Sequence, residues 1–113
     1  SEAIAVAVCD DAGYFARRVA QIQGEAAEFL PDAREAPPPR IVDQFKGPAY
    51  GVASAEQLQF IREVAGASGL MVDPVYTGKA LFGLAQLAPR PRRALFMHTG
   101  GLPGLLAEAA CFA

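Results

Sequence analysis

Hydrophobic and polar positions along the chain follow two periods, and the changes of period divide it into elements. Residues 3–9, AIAVAVC, form an unbroken apolar run containing Ile4, Val6 and Val8. That is the pattern of a strand covered on both faces, and Asp10-Asp11 stops it. Phe15, Val19, Ile22, Ala26 and Phe29 then recur at intervals of three and four, which predicts an amphipathic helix on a sheet, capped by Asp10 or Asp11 and ended by Pro31. Residues 31–53 have proline and glycine punctuation without a period, so they read as a long excursion. Excursions of that length inside compact domains are usually functional or disordered.

Ser54 and Gln57 make a capping box for a second helix whose apolar face is Leu58, Ile61 and Val64 or Ala65, ending at Gly66 or Gly69. LMVD, residues 70–73, reads as a short strand or extended segment, and Thr77 is placed to cap a third helix, GKALFGLAQLA, apolar nearly all round and hence buried. PRPRR is a turn, ALFMHT at 94–99 a strand, and GGLPGLLAEAACF a last helix with Gly100-Gly101 at its entry. The order β-α-α-β-α-β-α implies an α/β fold in which a parallel sheet is flanked by helices, a single segment over residues 1–113. Ligands of such sheets gather at the carboxyl ends of the strands. Three distant segments should meet there: Cys9-Asp10-Asp11, Pro74 to Thr77, and His98 to Gly101.

Composition narrows what such a site could serve. A chain of 113 residues holds one domain at most and is too short for the two-lobed body of most metabolic enzymes, so it is expected to be part of something larger. Ten basic against twelve acidic residues, a formal net charge of −2, give no reason to expect nucleic acid or an anionic membrane as partner. A small molecule or a protein fits better. The 52% hydrophobic content suggests a segment buried on more than one side. Cys9 and Cys111 lack CxxC spacing and read as reduced core thiols of a cytoplasmic protein. There is no apolar run of about 18 residues, and Ser1-Glu2 is not the basic start of a signal peptide.

Single residues carry competing readings. His98 is the only histidine, which rules out a His-based metal cluster and favours a hydrogen-bonded structural histidine at a strand end. Thr99-Gly100-Gly101 ahead of a helix could bind an anion through backbone N–H groups, although Gly-Gly at such a turn often serves tight geometry alone. Lys79 could form a Schiff base, but a lysine at a helix start is more often solvated or ion-paired. Tyr50 and Tyr76 sit near glycine and proline on segments assigned to the strand-end face, where packing gives little reason for a phenol. Arg90, Arg92 and Arg93 read as a solvated turn.

GLMVDPVYTGKALFGL followed by ALFMHTGGLPGLL, with VCDDAGYFARRV upstream and GPAYG between, resembles the carboxyl-terminal third of the pyridoxal-phosphate enzymes typified by D-cysteine desulfhydrase and 1-aminocyclopropane-1-carboxylate deaminase. The resemblance covers essentially the whole chain, and DPVYxGK with HTGG is a specific pair. It implies the fold of the tryptophan synthase β subunit (fold type II), two α/β lobes with pyridoxal 5'-phosphate between them, of which this chain would supply the later part of the larger lobe. By the same resemblance Tyr76 lies near the cofactor ring and Tyr50 near the substrate, both catalytic, while Thr99 and Gly100 at the last strand and Thr77 nearby hold the cofactor. No metal is implied. The deaminase pattern has Glu where this chain has Thr77 and Leu where it has Thr99, so the departures match the desulfhydrase. Lys79 fits the motif without being its Schiff-base residue. That lysine and the glycine-rich phosphate loop lie upstream in the family, and nothing here matches them.

Three functions are therefore weighed. The first is part of a lyase performing α,β-elimination on D-cysteine, giving pyruvate, ammonia and hydrogen sulfide. The second is a relative acting on an aminocyclopropane carboxylate or another small D-amino acid. The third is a non-catalytic α/β module that folds against a partner chain. Expected partners are a small amino-acid substrate, the missing amino-terminal lobe or a partner chain, and a second copy in a homodimer, with neither nucleic acid nor membrane.

Overall fold

The computed structural model describes residues 2–113 and has a mixed α/β architecture. Strand β1 (Ile4–Val6) pairs in parallel with β2 (Arg40–Val42), with Ile4, Ala5 and Val6 opposite Arg40, Ile41 and Val42. Helix α1 (Ala12–Ala26) and a 3-10 turn (Pro31–Arg34) cross between the two strands. Helices α2 (Ala55–Ser68), α3 (Thr77–Gln86) and α4 (Leu102–Ala107) follow, and a second 3-10 turn (Ala109–Phe112) closes the chain.

The start and stop signals explain most helix ends. Asp11 caps α1 by accepting from Tyr14 N at 2.7 Å, and Asp43, just past β2, accepts from Ala12 N at 2.8 Å. Two carboxylates thus occupy the positive end of α1. Helix α2 begins with the reciprocal Ser54–Gln57 capping box and ends at Gly69 in the left-handed conformation, φ 72°.

Helix α3 is the centre of the packing. Gly83 lets it settle on β1, because a Cβ there would lie 3.1 Å from Val6 Cγ2 and 3.0 Å from Phe45 Cδ2. Gly78 lets it meet α2, where a Cβ would lie 2.5 Å from Ile61 Cδ1. Phe82 joins Phe45 and Phe60 edge to face, with ring centroids 6.1 and 5.5 Å away. Ala7, Val42, Ile61, Val72, Leu87 and Leu105 are the buried apolar residues.

Several expectations need correction. The strand expected at 3–9 pairs only over Ile4–Val6, extended by Ala7 N donating to Val42 O at 2.8 Å. The excursion at 31–53 contains β2, whose Ile41-Val42 pair is a strand signal set between prolines and Asp43. Residues 70–73 are extended without a ladder, and 94–99 form no strand, with Leu95 94% exposed. A strand needs a neighbour for its backbone groups, and among the described residues 94–99 finds none. The apolar face of α1 is covered only in part: Phe15, Val19 and Ala26 are half-buried, whereas Ile22, and Phe29 just beyond the helix, are exposed. Cys111 is exposed instead of being a core thiol, Cys9 is half-buried, and both are free. No helix among the described residues is long and apolar enough to cross a membrane.

Candidate active site

One side chain organises the second of the three segments expected to converge, and Thr77 Oγ1, 3.4 Å from Gly100 O, links that segment to the third. Asp73, 1% exposed, accepts hydrogen bonds from the backbone N–H groups of Val75 (2.9 Å), Tyr76 (2.8 Å) and Thr77 (2.8 Å) and from the Thr77 hydroxyl (2.6 Å). Burial pushes its carboxyl up, but the bonds from Thr77, Tyr76 and Val75 outweigh that and hold it below the usual carboxylate range. Asp73 is thus the cap of α3. The sequence pointed to Thr77, which is instead the first residue of the helix, with Tyr76 at the cap position but making no side-chain cap bond.

The HTGG segment closes over this cap. His98 Nε2 bonds Met71 O at 2.8 Å, and His98 Nδ1 accepts from Gly100 N at 3.1 Å. These two bonds fit the tautomer with the proton on Nε2. His98 therefore ties the segment to residues 70–73, the structural role its solitude suggested. Gly100 and Gly101 take φ of 102° and 110°. A Cβ on Gly101 would lie 2.3 Å from Asp73 Oδ1.

Tyr76 leaves this buried knot and points out. Its hydroxyl hydrogen-bonds the Tyr50 hydroxyl, the rings meet edge to face with centroids 6.2 Å apart, and both side chains are exposed. Tyr50 arrives on a tight turn in which Val52 N donates to Ala49 O at 3.1 Å and Gly51 adopts φ 73°. Hydrogen bonding to Tyr50, with desolvation and the nearby Tyr50, Asp73 and Cys9, raises the Tyr76 phenol above its ordinary value. Tyr76 therefore keeps its proton at neutral pH and presents its hydroxyl to the open face.

The other expected site residues are placed as follows. Thr99 is exposed beside Gly100, whose N–H is spent on His98. Thr77 is 3% exposed, its hydroxyl donating to Asp73 and accepting from Asp73 N at 3.0 Å. Cys9 lies close enough to act electrostatically on Tyr76 and Lys79, while Asp11 is committed to capping α1.

Lys79 is neither solvated nor ion-paired. It is 0% exposed, and its Nζ donates to Lys46 O at 2.6 Å and Ala49 O at 3.2 Å. Burial lowers its affinity for the proton, partly offset by Cys9 and Asp73. Asp73 and Lys79 were not singled out as structural keys. The signal for Asp73 was its position one residue before Pro74 and four before the helix start. No sequence feature distinguishes Lys79 from a surface lysine.

A recess of about 490 Å³ is bordered by Phe45, Gly47, Ser54, Gln57 and Phe82. The tyrosine pair is not part of its lining. The chemistry-bearing groups lie on the open face instead.

The sequence of the chain has relatives. No family model matches the chain. A D-cysteine desulfhydrase of Yersinia pestis is 35% identical over 112 residues, 95% of this chain and 34% of that protein. A putative 1-aminocyclopropane-1-carboxylate deaminase of Thermotoga maritima is 40% identical over 70 residues, 61% of this chain and 22% of the relative. A bifunctional D-cysteine desulfhydrase/1-aminocyclopropane-1-carboxylate deaminase, mitochondrial, of Arabidopsis thaliana is 44% identical over 66 residues, 53% of this chain and 16% of that protein. Homologues across most of the chain are thus members of the 1-aminocyclopropane-1-carboxylate deaminase and D-cysteine desulfhydrase family, of which this chain represents a part. It spans about a third or less of the length of the curated relatives it matches, from 16% to 34% in these three.

Proposed function

We propose that the chain is part of a pyridoxal-phosphate-dependent lyase of the D-cysteine desulfhydrase type, the later part of the larger lobe, and that it supplies the tyrosine pair facing the substrate. The observation that carries this reading is the Tyr50–Tyr76 hydroxyl contact on an open face, at the start of a helix whose Thr77 Oγ1 lies 3.4 Å from Gly100 O. The donor set fits one side of the cofactor. The Tyr76 ring offers an aromatic face, and the exposed Thr99 hydroxyl offers a donor suited to a neutral pyridine nitrogen. Lys79 Nζ, spent on two carbonyls, is not placed to supply the Schiff-base amine.

When bound, pyridoxal phosphate supplies an electron sink that makes bonds at the substrate Cα breakable. This chain's residues bind and orient. In the phenol pair one hydroxyl donates to the other, and the acceptor's own proton is left to point at the open face. That proton can hold a substrate carboxylate or the sulfur of a D-cysteine. Tyr76, kept protonated, acts as donor and not as base. Thr77 contributes from behind, fixing Asp73 and through it the direction of Tyr76. The exposed Leu95 and Phe29, with the ladderless segment at 94–99, are surfaces a further lobe or a second subunit of a homodimer would cover.

In the complete protein that carries this segment, Tyr76→Phe removes one exposed hydroxyl. It should lower kcat/KM for D-cysteine by roughly tenfold, the worth of a hydrogen bond made at the reacting substrate, while the melting temperature holds. Sulfide release from D-cysteine, with ammonia release from an aminocyclopropane carboxylate as the control, is the measurement. Full activity of the variant on D-cysteine would sink the assignment, and turnover of the cyclopropane alone would favour the deaminase reading.

A further inference from the structure

Lys79 is the residue that neither the packing nor the proposed chemistry uses. It is a fully buried ammonium with no carboxylate among its hydrogen-bond acceptors, on a helix whose neighbouring positions are apolar or glycine. Burying an unpaired charge is costly, so its bonds must satisfy something otherwise unsatisfied. Both are to carbonyl oxygens of one turn, Lys46 O and Ala49 O, at either end of Gly47-Pro48. Pro48 has no N–H to give this turn, which limits its self-satisfaction. From the other side Gln57 Nε2 donates to Phe45 O at 2.7 Å. Gly47 is packed between these clamps: with φ 79°, a Cβ there would lie 2.9 Å from Gln57 Oε1 and 3.4 Å from Lys79 Nζ. The next residue beyond Ala49 is Tyr50.

We propose that Lys79 is a positioning residue: its buried ammonium binds the carbonyl oxygens of Lys46 and Ala49, fastens the Tyr50 turn to α3, and so sets the hydroxyl contact between Tyr50 and Tyr76. Tyr76 and Lys79 belong to the same helix start, three residues apart, so one rigid element aims both partners of the phenol pair. Without the ammonium, Lys46 O loses its donor and Ala49 O keeps only that of Val52 N, and the turn regains the lost bonds by swinging out to water, taking Tyr50 with it. The consequence for catalysis rests on the function proposed above, whereas the geometric coupling does not.

The readout is the titration of Tyr76 in the full 113-residue chain with 13C-labelled tyrosine, followed by NMR. The groups acting on Tyr76 are Tyr50, Asp73 and Cys9. In Lys79→Met the Tyr76 midpoint should fall toward the ordinary value of a phenol, with Lys79→Gln, which keeps N–H donors, intermediate. The sign is diagnostic. Removing a nearby positive charge would by itself raise a phenol's midpoint, whereas losing the Tyr50 bond lowers it. In a Tyr50→Phe background Lys79→Met should cause no further fall.

A folded Lys79→Met chain whose Tyr76 midpoint is unchanged or higher overturns the proposal, as does a further fall in the Tyr50→Phe background. Should the Met variant not fold, the Gln variant and the native chain decide. Reductive methylation of the folded chain should modify Lys46 at least tenfold faster than Lys79, and equal rates refute the clamp. Turnover of D-cysteine by the complete protein is read separately: a lowered Tyr76 midpoint with undiminished turnover leaves the clamp standing and removes the catalytic role of the pair.

Discussion

Asp73→Ala should destabilise the chain by on the order of 4 kcal/mol, against about 1 kcal/mol for Asp11→Ala, when the two are compared by urea unfolding. Both residues cap helices, but their surroundings differ. Asp11 is exposed and accepts one backbone N–H, from Tyr14, and water replaces it readily. The usual cost of such a cap is about 1 kcal/mol. Asp73 accepts from three backbone N–H groups and a hydroxyl in a place 1% exposed. Removing it strands several donors, each at about 1–3 kcal/mol where water cannot reach. A domain of this size has only about 5–15 kcal/mol in total.

The pH dependence follows from the same bonds. The carboxyl lies below its ordinary value in the folded chain and near 3.9 in the unfolded one, so its stabilising contribution is complete above about pH 4 and is lost as pH falls through the lower, folded value. Asp73→Asn should flatten that acid limb of the stability curve. An Asp73→Ala chain losing no more than Asp11→Ala would show that the cap is open to solvent.

What could be read from the sequence divides along a physical line. Features set by neighbours within one helical turn were legible: the Ser54–Gln57 box, the Gly69 stop and the α2 face around Ile61 all stand as expected. So was the parallel pairing of the first apolar run, though its partner was not, because Ile41-Val42 is a two-residue signal in a proline-rich stretch and gains its ladder only from β1. ALFMHT has the composition of a strand, yet strand character is a property of a pair, and the other member is missing among the described residues.

Lys79 failed for a related reason. A lysine's aliphatic stem suits a core as well as a surface, and only the two carbonyls supplied from thirty or more positions away decide which. For the candidate site, the sequence singled out the tyrosines and the motif pair as candidates. That Tyr50 and Tyr76 touch is a fact of the fold.

Gly101→Ala should cost about 3 kcal/mol or more, and Gly100→Ala only about 1–2 kcal/mol, in the same unfolding measurement. Both glycines have positive φ, 102° at Gly100 and 110° at Gly101, so any side chain pays backbone strain of about 1–2 kcal/mol at either. Space separates them. A Cβ at Gly100 meets nothing within 4 Å, whereas at Gly101 it would stand 2.3 Å from Asp73 Oδ1 and 2.9 Å from Asp73 Cβ. Asp73 cannot retreat without breaking its bonds to Val75, Tyr76 and Thr77, so the added methyl spends the cap of α3 as well as the strain. The two substitutions should therefore differ in kind. Gly101→Ala should share the loss of the acid limb with Asp73→Asn and should be less than additive with Asp73→Ala, because the clash disappears once the carboxylate is gone. Gly100→Ala should be additive with it. Equal costs for the two glycines, or full additivity of Gly101→Ala with Asp73→Ala, would mean that HTGG and DPVY are separate structural pieces. The expected coupling would make them one: the glycine turn is glycine because the aspartate that aims Tyr76 fills the space beside it.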